Sequence, residues 1–171
     1  MPAQPLVFYP DPRLRERAAP VRAFDEDLRD LARDIRDTLD AAQAVGLTAP
    51  HIGRPLRLVV LRLEPGEPHT AYANPEIVWA SPERASGTEG SVLMPGAAET
   101  VERARAVRIR YQDLAGAEQE EAAEGFRAAC LQHEIDQLDG IFWLERLSRL
   151  RRERTLKRFA KLRRDPRAGG P

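Results

Sequence analysis

The chain has 171 residues, 42% of them apolar, and a formal net charge of zero, which suits one domain with a real core. Its single cysteine excludes an internal disulfide, and no apolar run approaches the roughly 20 residues of a membrane span. The opening "MPAQPLVFYPDPRLRE" has no apolar h-region and does not read as a secretory signal, so the sequence predicts a soluble, cytoplasmic protein with no membrane partner and no specific DNA binding.

The zero net charge hides an asymmetry. From Arg149 to Pro171 there are ten Lys/Arg and two Asp/Glu, a local net of +8, leaving −8 on the first 148 residues. Such a segment is either a solvated basic helix or a surface with its own partner.

Residues 1–24 read as an irregular arm, broken by Pro2, Pro5, Pro10, Pro12 and Pro20. Asp25 is placed to cap a helix in which Leu28, Leu31, Ala32, Ile35, Leu39 and Ala42 recur at helical spacing. "AVGLTAPHIG" (44–53) reads as a turn-rich loop and "LRLVVLRL" (56–63) as a buried strand. "AYANPEIVWAS" is extended around Pro75, whereas "ERASGTEGSVLMPGAAE" reads as an ordered loop with short extended pieces. "AVRIRYQDLAGAEQEEAAEGF" predicts two strands joined at "DLAG", the second weak because "EQEEAAE" has poor strand propensity. A helix follows over about 124–138, closed by Gly140, and a last helix over about 148–163 with Leu150, Leu156, Phe159, Ala160 and Leu162 on its apolar side. "DPRAGGP" reads as a disordered end. The fold class is α+β, with short antiparallel strands around a central helix: a domain over 1–148, then a basic C-terminal helix and tail over 149–171.

The central helix carries "QHEIDQ". His133 and position 137 lie one turn apart on the same face, the spacing by which two imidazoles hold one ion with the intervening Glu as general base. Position 137 is Gln, whose amide oxygen is a poor donor beside an imidazole. Taken alone, the segment is a weak metal signal and reads as a helix with a satisfied histidine.

Two further segments precede it at fitting intervals: "AVGLTAPHIG" and "EGSVLMPG" (89–96). Together with "QHEIDQL" they resemble the peptide deformylase family, which carries Gly-x-Gly-Leu-Ala-Ala-x-Gln, Glu-Gly-Cys-Leu-Ser and Gln-His-Glu-x-Asp-His-Leu. "DPRLRERAAPV", "ANPEIV", "VRIRYQDLAG" and "LERLSRLRRERTLKR" look like family segments in family order, so the resemblance covers nearly the whole chain.

The resemblance implies metal-dependent hydrolysis of the formyl group from formyl-Met peptides, with Fe²⁺, Zn²⁺ or Ni²⁺ as the ion. It places the three ligands at Ser91, His133 and Gln137, of which only His133 is a family ligand type. It places the general base at Glu134, the oxyanion glutamine at His51, and the oxyanion backbone N–H at Val92. Val45, Gly46, Leu47, Phe126, Ala129, Cys130 and His133 border the side-chain pocket.

Replacing a thiolate by the Ser91 hydroxyl and an imidazole by the Gln137 amide removes two strong donors of three. The expectation is an ion site that is empty or weakly filled, and lost or much reduced deformylase activity. Two rescues are open. Cys130 could stand in as a thiolate, although a buried, inert cysteine is the plainer reading. His51 could join His133 in a rebuilt site of an active hydrolase, or fill the ion's space. Glu134 would then take hydrogen bonds from His51, His133, Ser91 or Gln137. A third reading is a non-catalytic module that binds the N-terminal peptides of nascent chains, or the ribosome through the basic C-terminal helix.

Overall fold

A computed structural model describes residues 3–164. The chain forms an α+β fold in which a five-stranded antiparallel sheet separates two helices. The expected cap holds: the Asp25 side chain accepts from Leu28 N and starts α1 (Glu26–Ala41). The segment read as a turn-rich loop contains a short strand, β1 (Gly46–Thr48), and a 3₁₀ turn, Ala49–Ile52. Strand β2 (Leu58–Leu61) is shorter than predicted, and β3 (Thr70–Ala80) spans Pro75.

The alternation of β2 explains why it is apolar on both faces. Leu58 and Val60 pack with Leu31, Ile35 and Leu39 of α1. Val59 and Leu61 face the other way, against Leu131, Ile135 and Leu138 of the central helix, α2 (Gly125–Leu138).

Residues 84–104 correct the sequence reading. They are not a loop with short pieces but two paired strands, β4 (Arg84–Gly90) and β5 (Ala98–Ala104), in unbroken register from Arg84 opposite Ala104 to Gly90 opposite Ala98. Polar, Gly-rich composition concealed them, because the exposed face of β4 needs no apolar alternation. Strand β6 (Ala106–Gln112) pairs fully with β7 (Glu118–Glu124), the strand of poor propensity. Cross-strand contacts override that propensity, with Arg110 opposite Glu120 and Ala123 buried in the core.

The central helix ends where Gly140 adopts φ +76°, and a Cβ there would lie 2.4 Å from the Arg15 carbonyl oxygen. The requirement for glycine is therefore both conformational and steric, and it lets the N-terminal arm dock on the helix. The arm is not irregular throughout: Pro12–Arg15 forms a 3₁₀ turn whose Leu14 is buried.

The last helix, α3 (Arg149–Arg164), buries Thr155 and Phe159. Phe159 packs in a third cluster with Leu93, Val101 and Trp143. Leu150, expected on the apolar side, is instead 57% exposed, because the inward face is set by Thr155 and Phe159. Arg154, Lys157, Lys161 and Arg164 are exposed on the opposite face. The tail predicted to be disordered, 165–171, lies outside the described residues, as do the first two residues of the arm. Among the described residues no helix is long and apolar enough to cross a membrane.

Candidate functional site

Cys130, His133, Glu134 and Gln137 fall at helical intervals on one stripe of α2. Three of them, with residues of β1, β4 and the turn after it, line a hollow of about 970 Å³. Val45, Gly46, Leu47, His51, Ser91, Val92, Phe126, Ala129, Cys130, His133 and Glu134 all border it, whereas Gln137 is not in the lining.

His133 is held by Glu89. Its Nδ1 lies 3.0 Å from Glu89 Oε2, and since a carboxylate only accepts, Nδ1 donates and Nε2 is left for the hollow. Glu89 receives a two-pronged guanidinium, from Arg103 Nε at 2.7 Å and Nη2 at 2.9 Å. Arg103 Nη1 also donates to Asp136 Oδ2 at 2.6 Å, and Arg146 clamps Asp136 from outside. Burial pushes the Glu89 carboxyl up, but Arg103 and His133 overcome this and hold it at about 2. Burial alone would lower the His133 imidazole, yet the Glu89 hydrogen bond and nearby carboxylates raise it above its ordinary value.

The sequence reading missed this relay. A signal existed: Val101 and Arg103 share the inward face of β5, and a buried arginine requires carboxylate partners.

The other polar side chains are turned to local tasks. Gln137 is buried and its amide nitrogen donates to the Leu14 carbonyl at 2.9 Å. That leaves only an amide oxygen to offer an ion. Ser91 Oγ accepts from Leu93 N at 3.1 Å. His51 caps its own 3₁₀ turn, its Nδ1 accepting from Thr48 N at 2.7 Å. Burial lowers its pKa to about 3, with His133 adding to the effect, so the ring is neutral and Nδ1 bears no proton.

Glu134 lies 3.9 Å from that Nδ1. This is not an ion pair, because the His51 ring is neutral, and 3.9 Å is too long for a hydrogen bond. The partners expected for Glu134 do not appear: its Oε2 is buried and has no hydrogen-bond partner among the described residues. His133 and Gln137 instead donate to Glu89 and the Leu14 carbonyl, while His51 Nδ1 and Ser91 Oγ accept from Thr48 N and Leu93 N. Burial is the main cause of a Glu134 pKa raised to about 7. Cys130 is likewise pushed by burial to about 12, so its thiol stays protonated and is no substitute thiolate.

The buried Glu134 carboxyl has a stability consequence. Its folded pKa lies above its ordinary value of 4.5, so between the two the folded chain holds a proton that the unfolded chain has lost. Stability therefore falls as pH rises through that window. Glu134→Gln is expected to stabilise the protein by up to about 3 kcal/mol above pH ~8 and to change little near pH ~4. Urea unfolding at the two pH values measures this, and an equal effect at both would contradict it.

The comparisons with known proteins agree with this architecture. The family model of polypeptide deformylase matches residues 3–153. A peptide deformylase-like protein of Brucella melitensis biotype 1 is 58% identical over 159 residues, 93% of this chain and 97% of that one. The peptide deformylase-like protein of Bradyrhizobium diazoefficiens is 57% identical over 162 residues, 95% of each. A peptide deformylase of Brucella suis is 40% identical over 166 residues, 95% of this chain and 94% of that one. Among solved structures, a peptide deformylase from Legionella pneumophila superposes with a TM-score of 0.89 at 38% identity, covering 99% of both chains. Fold and site thus define a hydrolase scaffold of the deformylase type. The chain belongs to the polypeptide deformylase family.

That family is one of metalloenzymes, and the residues present here do not fit its ion. Among the described residues no group of three or more His, Cys, Asp or Glu side chains could hold a metal. A hydroxyl and an amide oxygen beside one imidazole form a neutral, weakly donating set. What the cleft offers is an apolar hollow with a buried carboxyl at its wall, whose Oε2 has no hydrogen-bond partner among the described residues.

Proposed function

We propose that this chain is a deformylase-like protein whose cleft holds the N-terminal end of a peptide but turns over formyl-Met peptides little or not at all. The observation that carries this reading is the Gln137 amide, whose nitrogen is committed to the Leu14 carbonyl. The second imidazole of the family's ion site is thus replaced by a structural hydrogen bond. With no ion to acidify water, Glu134 alone faces a nucleophile of pKa about 16, and the developing oxyanion lacks its main electrophile. The names borne by relatives point the same way: those at 57–58% identity are called peptide deformylase-like, and the one at 40% peptide deformylase.

The test is deformylation of a formyl-Met tripeptide by the full chain, supplied in turn with Fe²⁺, Ni²⁺ and Zn²⁺. The expected result is no turnover above the buffer control with any of them. Metal-dependent turnover at about 1 s⁻¹ or faster, the range of ordinary enzymes, would sink the reading.

A further inference from the structure

The N-terminal arm crosses the turn after β1, the turn after β4 and the end of α2. Val7 N donates to the His51 carbonyl at 2.8 Å, Tyr9 N to the Leu93 carbonyl at 2.9 Å, and Ala18 N to the Leu138 carbonyl at 2.8 Å. Between the last two, the Leu14 carbonyl takes the Gln137 amide. Side chains of the extended stretch alternate. Val7 is buried and Tyr9 stacks on Phe142 at 5.1 Å, whereas Leu6 and Phe8 border the hollow.

The attachment is uneven along the arm. Its far end is fixed by paired bonds: Ala19 N donates to Pro55 O and Arg57 N to Ala19 O, each at 2.8 Å. Asn74 then accepts from Val21 N and donates back to the Val21 carbonyl. Ahead of that point the bonds quoted above are single and several residues apart, and Phe8, Arg15, Glu16 and Arg17 are exposed. Strands β6 and β7, by contrast, pair continuously from Ala106 opposite Glu124 to Gln112 opposite Glu118. Segments held by sparse bonds and little burial open before continuous ladders do.

We propose that residues 6–18 form a strap that opens as one unit, hinged at Ala19 to Val21 and latched by Gln137. Opening withdraws Leu6 and Phe8 from the wall of the hollow, so the strap sets the width of the cleft. Gln137 is suited to be the latch because it is 2% exposed and its bond to Leu14 joins α2 to the middle of the strap. A buried carbonyl that loses such a donor is left unpaired, which favours the open form. Gly140 completes the seat, since a Cβ there would press on the Arg15 carbonyl oxygen from 2.4 Å. The side chain that stands at an ion-ligand position thus controls access to the cleft.

Amide hydrogen exchange of the full chain, read residue by residue by NMR, tests this. In the wild type the Val7 and Tyr9 amides are expected to exchange at least ~10-fold faster than those of Val60 and Ile109 in the central strands β2 and β6. Gln137→Ala should speed Val7 and Tyr9 at least ~5-fold further, although neither bonds to residue 137, and leave Val60 and Ile109 within about 2-fold. Gln137→His, whose Nδ1–H can still donate to the Leu14 carbonyl, should keep Val7 and Tyr9 within about 2-fold of the wild type. Unchanged Val7 and Tyr9 in Gln137→Ala, or a Gln137→His chain as fast as Gln137→Ala, would overturn the latch. Equal acceleration of Val60 and Ile109, or failure of Gln137→Ala to fold, would make the arm part of the global folding unit and overturn the strap.

Discussion

Replacing Ser91 by Cys and Gln137 by His together is expected to tighten Zn²⁺ or Ni²⁺ binding by at least ~100-fold, to about one ion per chain. The frame for an ion remains. His133 is oriented by Glu89 through Nδ1, so Nε2 is left for a metal, as when a carboxylate accepts from the far N–H of a metal-bound imidazole and fixes its ring. At position 137 the Leu14 carbonyl that now takes the Gln amide would take the Nδ1–H of an imidazole, leaving its Nε2 free. A cysteine at 91 adds a thiolate, whose charge the ion stabilises. Each single variant supplies only one of the two missing donors and should fall well short of the pair. Competition with a chromophoric chelator measures the affinities. A double variant that folds normally but binds no more tightly than the wild type would mean that the fault lies in the frame and not in the donors.

The second large effect is on stability. Arg103 is 5% exposed and bridges two carboxylates that are each 11% exposed. Arg103→Ala leaves Glu89 without its guanidinium and Asp136 with only its outer one. Breaking a buried pair in this way costs about 3–5 kcal/mol, because the surviving charge is stranded in a poorly solvated place. His133 would lose its orientation at the same time, since Glu89 holds both groups. Arg146, whose side chain is 44% exposed, touches the same Asp136, yet Arg146→Ala should cost about 1 kcal/mol or less because water replaces it. Urea denaturation distinguishes the two, and near-equal losses would contradict the assignment of Arg103 as the buried keystone.

Much of this was legible in the residues. Asp25 at the start of α1, the two-sided apolar run of β2, and Gly140 at the end of α2 each state a local physical requirement, and each element formed there. The β4–β5 pair was not legible, because a strand with an exposed polar face has no periodic signature before its partner is known. At the site, the motif residues were placed by spacing along α2 and by resemblance, and the fold brings most of them to one hollow. Their orientations were beyond reach of the sequence. Gln137 turns to a carbonyl 123 positions away in the chain, and Glu89 meets an arginine from the neighbouring strand. Such long-range pairings decide whether a side chain faces a ligand or serves the scaffold, and only the folded chain supplies them.

The most direct test is the metal content of the wild-type chain, purified gently from cells grown with added Fe²⁺, Ni²⁺ or Zn²⁺ and without chelators. The account predicts far less than one transition ion per chain, and no further loss in His133→Ala. One tightly held ion per chain that survives dialysis and disappears in His133→Ala would contradict it.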